Sequence, residues 1–486
     1  MKPQTQLFRW QAITLVTLWV GYAGYYVCRS NFSVAGPALQ KELAAEPTGA
    51  VEEWLESSRR AIGQSLGSVI ASARSAVGLA PAEAAPVVEA KKDEGLGKRR
   101  FGMIASVSIL FYAFGKFSSG IGGDFLGGRR LFLFGMFGSI LCTVLFGMAS
   151  GFAALLAIWC GNRLVQSVGW NGLVKVASRW FPVERHGTIL GVLTLSYLFG
   201  DSLARLLLGG LLWAGLSWRQ LFFAAAGILT VVWFVSRLTL KACPGDVGAP
   251  EPEANPANVY GAKGEAPQPA DLMDLLWPLA TDLSFWLVCI MSFGLTLIRE
   301  TFSNWNPTYL QNVAGLSADR AATASALFPF IGGCSAIAAG VLTDQLAKGR
   351  RGAIIFSFLT MMVASLYALS KLEPGGGALL PLTLTSVVSF SMLGPYSFLT
   401  GVMSLDFGGK RGSSTAAGLA DTAGYLGAVV SGYGVAVLAA DSGWGVAFSA
   451  LSGVAAVTLV AAGLYWYLHD VRGPRRARAA TKDAAA

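Results

Sequence analysis

Of the 486 residues, 53% are hydrophobic and only 13% charged, with a mean hydropathy of +0.53. A soluble domain carries roughly a quarter charged residues, so a water-soluble globule is excluded. The net charge of +9 lies in short loops between apolar runs, which reads as membrane topology and not as a nucleic-acid surface.

Two histidines (His186 in a loop, His469 at the end of the last apolar run) and six scattered cysteines without a CxxC pair offer no metal cluster and no disulfide framework. No nucleophile–base pair stands out either, so no metal, no cofactor and no enzymatic reaction are expected.

A membrane-spanning helix takes roughly 20 apolar residues. Candidate spans begin near Gln11, Phe101, Leu131, Phe152, Thr188 and Leu221, and a second series near Leu283, Ala321, Ala353, Ala378, Thr415 and Val446. The expected fold class is therefore an all-α polytopic membrane protein of twelve transmembrane helices in two six-helix bundles, residues 1–240 and 282–470. The Pro-, Gly- and charge-rich linker at 241–281 reads as a flexible cytoplasmic connection. Residues 471–486 form a basic tail.

Arg129, Arg130, Arg179, Arg185, Lys348, Arg350, Arg351, Lys410 and Arg411 fall in loops on one side, with the basic residues of both termini. The positive-inside rule makes that side, and both termini, cytoplasmic.

The two halves repeat. Arg29-Ser30-Asn31-Phe32-Ser33 with Pro37 is matched by Arg299-Glu300-Thr301-Phe302-Ser303 with Pro307. Asp124 before Gly128-Arg129-Arg130 is matched by Asp344 before Gly349-Arg350-Arg351. Trp218, Phe222 and Gly227 recur at the same spacing as Trp444, Phe448 and Gly453. Three matches in one order imply a duplicated six-helix unit, and such parallel repeats hold substrate between the halves near the bilayer midplane.

Arg29 and Asp124 lie 95 residues apart, but Arg299 and Asp344 only 45. The first half thus carries an insert within about 41–100. Leu55, Ile62, Leu66, Val69, Ile70 and Val77 suggest an amphipathic surface helix in it, and 80–97 reads as disordered. A solvated decoration is the default reading.

Ionisable groups inside the membrane are expensive and mark function. Arg29 and Arg299 occupy equivalent positions, so the twofold axis turns both toward one cavity. Their planar donor forks suit phosphate or carboxylate, and two of them call for an anion of about two charges, best a phosphate or phosphomonoester. Glu300 adjoins Arg299 but should point elsewhere, since successive helix residues do not face each other. Lys116 either adds to the positive cavity or snorkels toward the cytoplasm. Asp201 and Arg205, four apart, should neutralise each other. Asp421 has no partner near in sequence and is a candidate for proton coupling. Asp124 and Asp344, with Arg129, Arg130, Arg350 and Arg351, look like gate clamps in which the Asp caps a helix end or pairs with an Arg in one state only. Simple topology charge accounts for each Arg equally well.

The segment Tyr22-Ala23-Gly24-Tyr25-Tyr26-Val27-Cys28-Arg29-Ser30-Asn31-Phe32 resembles the organophosphate:phosphate antiporter family of the major facilitator superfamily. Gly115-Lys116-Phe117, Gly169-Trp170, Trp305-Asn306-Pro307-Thr308-Tyr309-Leu310, Gly394-Pro395 and Gly424-Tyr425-Leu426-Gly427 extend the likeness over nearly the whole chain except the insert. Arg163-x2-Gln166-x2-Gly169 resembles a motif common across the superfamily, whose Arg is a structural or coupling element. The resemblance implies phosphate binding by Arg29 and Arg299, and a cavity lined by Tyr22, Tyr26 and Tyr425. It also implies rocker-switch exchange of an organophosphate for inorganic phosphate. Ser30, Asn171-Gly172-Leu173-Val174 and Ser196 depart from the family pattern.

The expected protein is thus a multi-pass transporter, functional as a monomer, exchanging a sugar phosphate or glycerol phosphate for phosphate. A proton-coupled symporter of another organic anion, using Asp421 or Asp201, is the runner-up. A transport-inactive sensor on the same fold, signalling through its cytoplasmic loops, is a third reading.

Overall fold

The computed structural model describes residues 3–46, 49, 57, 92–256, 258–345 and 351–472. Described residues are almost all helical. In the first half α1 (Pro3–Val34) and the short α2 (Gly36–Ala44) lead to α3 (Lys92–Leu126), α4 (Gly128–Met148), α5 (Phe152–Gln166), α6 (Val168–Trp180), α7 (His186–Trp213) and α8 (Trp218–Thr239). The second half runs from α9 (Leu272–Thr281) and α10 (Leu283–Asn312) through α11 (Ala318–Ser325), α12 (Leu327–Gln345), α13 (Gly352–Ser370) and α14 (Leu379–Ser397). It ends with α15 (Met403–Gly408) and α16 (Ser413–Tyr465).

Each expected span coincides with helix, and nine helical stretches among the described residues are both long and apolar enough to cross a bilayer. The first, fourth and eleventh expected spans are not among those nine. The fourth is divided at Ser167 into helices of 15 and 13 residues, and the first and eleventh bury polar groups, Thr14, Thr17 and Asn31 in one and Ser413, Ser414 and Asp421 in the other. Polarity turned inward keeps charge away from lipid. The eleventh and twelfth spans run together as α16, bent at Gly443 (φ 82°), a left-handed conformation that glycine adopts without strain.

Ser217 caps α8, accepting from the Gln220 amide, and Asp282 caps α10 through the Phe285 amide. The duplicated aromatics pack alike, with Trp218–Phe222 rings 5.7 Å apart and Trp444–Phe448 rings 6.0 Å apart.

Two expectations need correction. First, α3 already begins at Lys92, within the stretch expected to be disordered, because α2 offers it a packing partner; Arg100 donates to the carbonyls of Leu43 and Glu46. The amphipathic helix expected at 55–77 lies almost wholly outside the described residues, as do Lys348, Arg350 and the end of the tail.

Second, the linker is not a loose tether. Its charges and Pro/Gly turns find partners on both halves: Glu251 with Arg179 (2.5 Å), Val247 O with Gln6, Asn255 with Asp406 (2.8 Å), and Glu265 with Lys410 (2.7 Å). Burial works against the Glu265 carboxylate, but the bonds from Lys410 and the Ala254 amide outweigh it and hold its pKa below the usual value. Tyr260 is buried against Gly412 and donates to Leu275 O, 2.7 Å. Composition counted these residues as solvated; pairing is what orders them.

Candidate substrate-binding site and gate

Spacing alone puts the chemistry on inward faces. Tyr22, Tyr26 and Arg29 are four and three residues apart on α1; Tyr112 and Lys116 are four apart on α3; Asp421 and Tyr425 four apart on α16. These faces meet around a central cavity. Tyr22, Tyr26, Tyr112, Lys116, Trp170 and Tyr197 line it from the first half. Arg299, Tyr396, Ser397, Thr400, Asp421 and Tyr425 line it from the second. Ser397 and Thr400 reach it from the end of α14 and the π-turn at Phe398–Val402, just after Pro395; turns of this kind recur at functional sites. The Thr400 carbonyl there accepts from the Trp170 indole, 2.9 Å, across the two halves.

Arg29 lies behind the phenols. It donates to the hydroxyls of Tyr26 and Tyr112, both at 3.4 Å, and its guanidinium carbon stands 4.9 Å from the Tyr112 ring. Among the described residues no carboxylate lies within ion-pair distance of it. Arg163 is held 5.4 Å from the same ring, with its Nε and one terminal nitrogen buried and unpartnered. Lys116 is 5.4 Å from that ring as well. Three cations therefore converge on one aromatic ring.

Arg299 donates to the Tyr396 hydroxyl at 2.7 Å and stands 4.6 Å from its ring. Contrary to expectation, Glu300 is its ion-pair partner. Neighbours on a helix point apart at Cβ, but both side chains are long enough to curl together. Arg299 Nε stays buried without a partner.

Lys116 does not snorkel. It is 2% exposed and pairs with Asp421 at 2.7 Å, so Asp421 does have a partner, contributed by the other half. Asp201 and Arg205 pair as expected (2.9 Å), and Asp201 also accepts from Ser30, 2.5 Å.

At the end bearing the basic loops the halves are closed. Asp124 accepts from the backbone amides of Ser414 (3.3 Å) and Thr415 (2.8 Å) and from the Thr415 hydroxyl, capping α16 across the interface. Asp344 does the same for α7, accepting from the amides of Gly187 (3.1 Å) and Thr188 (2.6 Å). Carboxylates suit these first-turn amides, which have no intrahelical acceptor, and the positive end of a helix. Among the described residues neither Asp pairs with an Arg. Asp124 pairs with Lys175 (2.6 Å), whose ammonium also donates to the carbonyls of Pro267, Lys410 and Arg411. Arg129 instead donates to Leu240 O (2.6 Å) and Arg237 O at the end of α8; Arg130 is exposed; Arg351 pairs with Asp406. His186 is no loop residue: it opens α7, buried, and bonds the Phe181 carbonyl.

Sequence reasoning missed Tyr112, Trp170, Tyr197, Tyr396 and Lys175. Tyr112 was findable, one helical turn before Lys116; Tyr396 directly follows Gly394-Pro395. Lys175 carries no local signal, because its partner lies on another helix.

The two Asp caps should differ in weight. Neutralising Asp124 leaves Lys175 without its carboxylate, and breaking a buried pair costs about 3–5 kcal/mol, whereas losing a cap costs about 1 kcal/mol. With Ser414→Cys as a buried reporter, Asp124→Asn should speed labelling by an impermeant maleimide far more than Asp344→Asn. Equal rates in the two variants would contradict this ranking.

Residues 18–432 match the description Major Facilitator Superfamily. The chain belongs to this superfamily. Its relatives include a probable hexose phosphate transport protein of Chlamydia trachomatis, 25% identical, with 76% of this chain and 83% of the relative covered. The glycerol-3-phosphate transporter of Bacillus subtilis is 22% identical, covering 85% of this chain and 82% of that protein. A solved structure of the E. coli fucose:proton symporter FucP shares the fold at TM-score 0.65 and 12% identity, covering 94% of this chain and 99% of that one. The major facilitator architecture, a multi-pass all-helical membrane protein, is the one the sequence resemblance implies.

Proposed function

We propose that this major facilitator protein exchanges a phosphorylated small organic molecule, a sugar phosphate or glycerol phosphate, for inorganic phosphate by alternating access. The observation that carries this is the charge balance of the cavity. Lys116, Arg299 and Asp421 line the cavity, and Arg29, Arg163 and Glu300 stand behind its wall, which together leaves an excess of two positive charges. A phosphomonoester or phosphate dianion matches that excess. Relatives named as hexose phosphate and glycerol-3-phosphate transporters support the substrate class.

The bundles 1–240 and 282–470 rock about this site, with the basic end and both termini in the cytoplasm. The end closed by Asp124 and Asp344 is then the cytoplasmic one. The site is complete within one chain, which supports a functional monomer. A proton symporter is less well supported, because Asp201, Asp421 and Glu300 are each already engaged by a cation.

Proteoliposomes loaded with unlabelled phosphate should take up labelled glycerol-3-phosphate or glucose-6-phosphate without a pH gradient, and empty liposomes should not. Uptake that requires the gradient and ignores internal phosphate would overturn the antiport reading. Binding without any uptake would favour a sensor.

A further inference from the structure

The closed end is sealed by two seams that the repeat makes equivalent. On one, α3 runs against the first half of α16; on the other, α12 runs against α7. Each has an Asp cap at its base, Asp124 on Thr415 and Asp344 on Thr188. Each has glycines in close approach one turn up: a Cβ on Gly120 would lie 2.9 Å from Gly418 Cα, and one on Gly340 2.6 Å from the Gly187 carbonyl oxygen.

The next rung breaks the symmetry. Lys116, one turn above Gly120, meets Asp421 from the opposite half, side chains 2% and 8% exposed. The positions that correspond on the other seam are Ala336 and Thr194, which carry no charge. Only one seam therefore ends in an ion pair, and both members of that pair line the substrate cavity. Ligand and gate share a side chain.

From this juxtaposition we propose that the Lys116–Asp421 pair is a substrate-released latch: it holds the empty carrier closed at the basic end, and an anion entering the cavity draws Lys116 away and frees the seam. The proposal rests on the anion-exchange reading above. Opening the seam of an empty carrier separates two opposite charges that are in contact within a low-dielectric interior. With a phosphate in the cavity, the ammonium already shares its charge with the ligand, so the pair contributes less to closure and opening becomes easier. Free energy for the change comes from the ligand binding the opened form relatively better, as population shift requires.

The test uses the full chain carrying Cys334→Ser, with spin labels at Leu126→Cys and Gln345→Cys, both exposed ends of the helices that form the seams. Pulsed electron–electron resonance reports their separation. In the otherwise native chain the distance should be mostly short without ligand, and inorganic phosphate should enlarge the long-distance population several-fold. In the near-isosteric neutral pair Lys116→Met/Asp421→Asn, the long population should be prominent before phosphate is added, and phosphate should change it less than twofold. The swapped pair Lys116→Asp/Asp421→Lys should restore the short distance in the absence of ligand, which mere cavity packing would not do.

A neutral pair that stays as closed as the native chain would overturn the latch. If the native chain ignores both phosphate and glycerol-3-phosphate while the neutral pair opens, the ion pair closes the gate but the anion reading fails. A native chain that responds to phosphate, with a neutral pair responding to the same extent, refutes the latch and leaves the anion reading standing.

Discussion

Replacing either Arg29 or Arg299 by Lys should lower phosphate exchange by about 100-fold or more, equal to roughly 2.7 kcal/mol of lost stabilisation. Charge is conserved in these variants, so the loss isolates geometry. A guanidinium offers five donors in a planar fork that can meet two phosphate oxygens at once, whereas an ammonium acts as a point charge on a flexible stem. Charge-assisted hydrogen bonds are worth about 1.5–3 kcal/mol each, and the fork loses at least one. The surroundings reinforce the effect. Arg29 is oriented by the hydroxyls of Tyr26 and Tyr112, and Arg299 by Tyr396 and Glu300. A shorter ammonium would leave those phenols without their donor and pull the charge back from the cavity. The measurement is the initial rate of labelled phosphate uptake into phosphate-loaded proteoliposomes, normalised to folded protein. Native rates in either variant would remove the Arg pair from the site.

The architecture was legible because duplication writes itself twice: Arg29 and Arg299, Asp124 and Asp344, and the two Trp–Phe pairs are each visible as spacing. What escaped was whatever depends on contacts between the halves. Asp421 has no partner within its own helix, and Lys116 had two equally good fates; only the seam between α3 and α16 brings them to 2.7 Å. Glu300 was set aside on Cβ direction, a rule that governs short side chains better than a Glu reaching for an Arg. Lys175 was invisible for the same reason as Asp421: three of its four partners lie beyond residue 260. The linker misled in the other direction, since a stretch rich in Pro, Gly and charge reads as solvated until each charge is shown a partner.

Gly418→Leu should abolish exchange, to below about one-hundredth of the native rate, while leaving the folded protein intact. A Cβ at Gly418 would lie 2.5 Å from the Lys116 carbonyl oxygen and 2.6 Å from Gly120 Cα. Both obstacles are backbone atoms of α3, so no rotamer change can relieve the clash, and the seam cannot close with any larger residue in place. In the open form the same side chain faces water or the widened cleft and meets nothing. Leu is a better helix former than Gly by up to about 1 kcal/mol, so α16 itself is not weakened. The variant is therefore expected to lodge with its basic end open, binding phosphate from that side but never completing a cycle. Gly227→Ala is the control: nothing lies within 4 Å of a Cβ there, and exchange should be unaffected. The label pair at Leu126 and Gln345 should report the long distance for Gly418→Leu with or without phosphate. A variant that exchanges at the native rate would mean that the α3–α16 seam, the structural basis assigned here to the closed gate, does not have to form during transport.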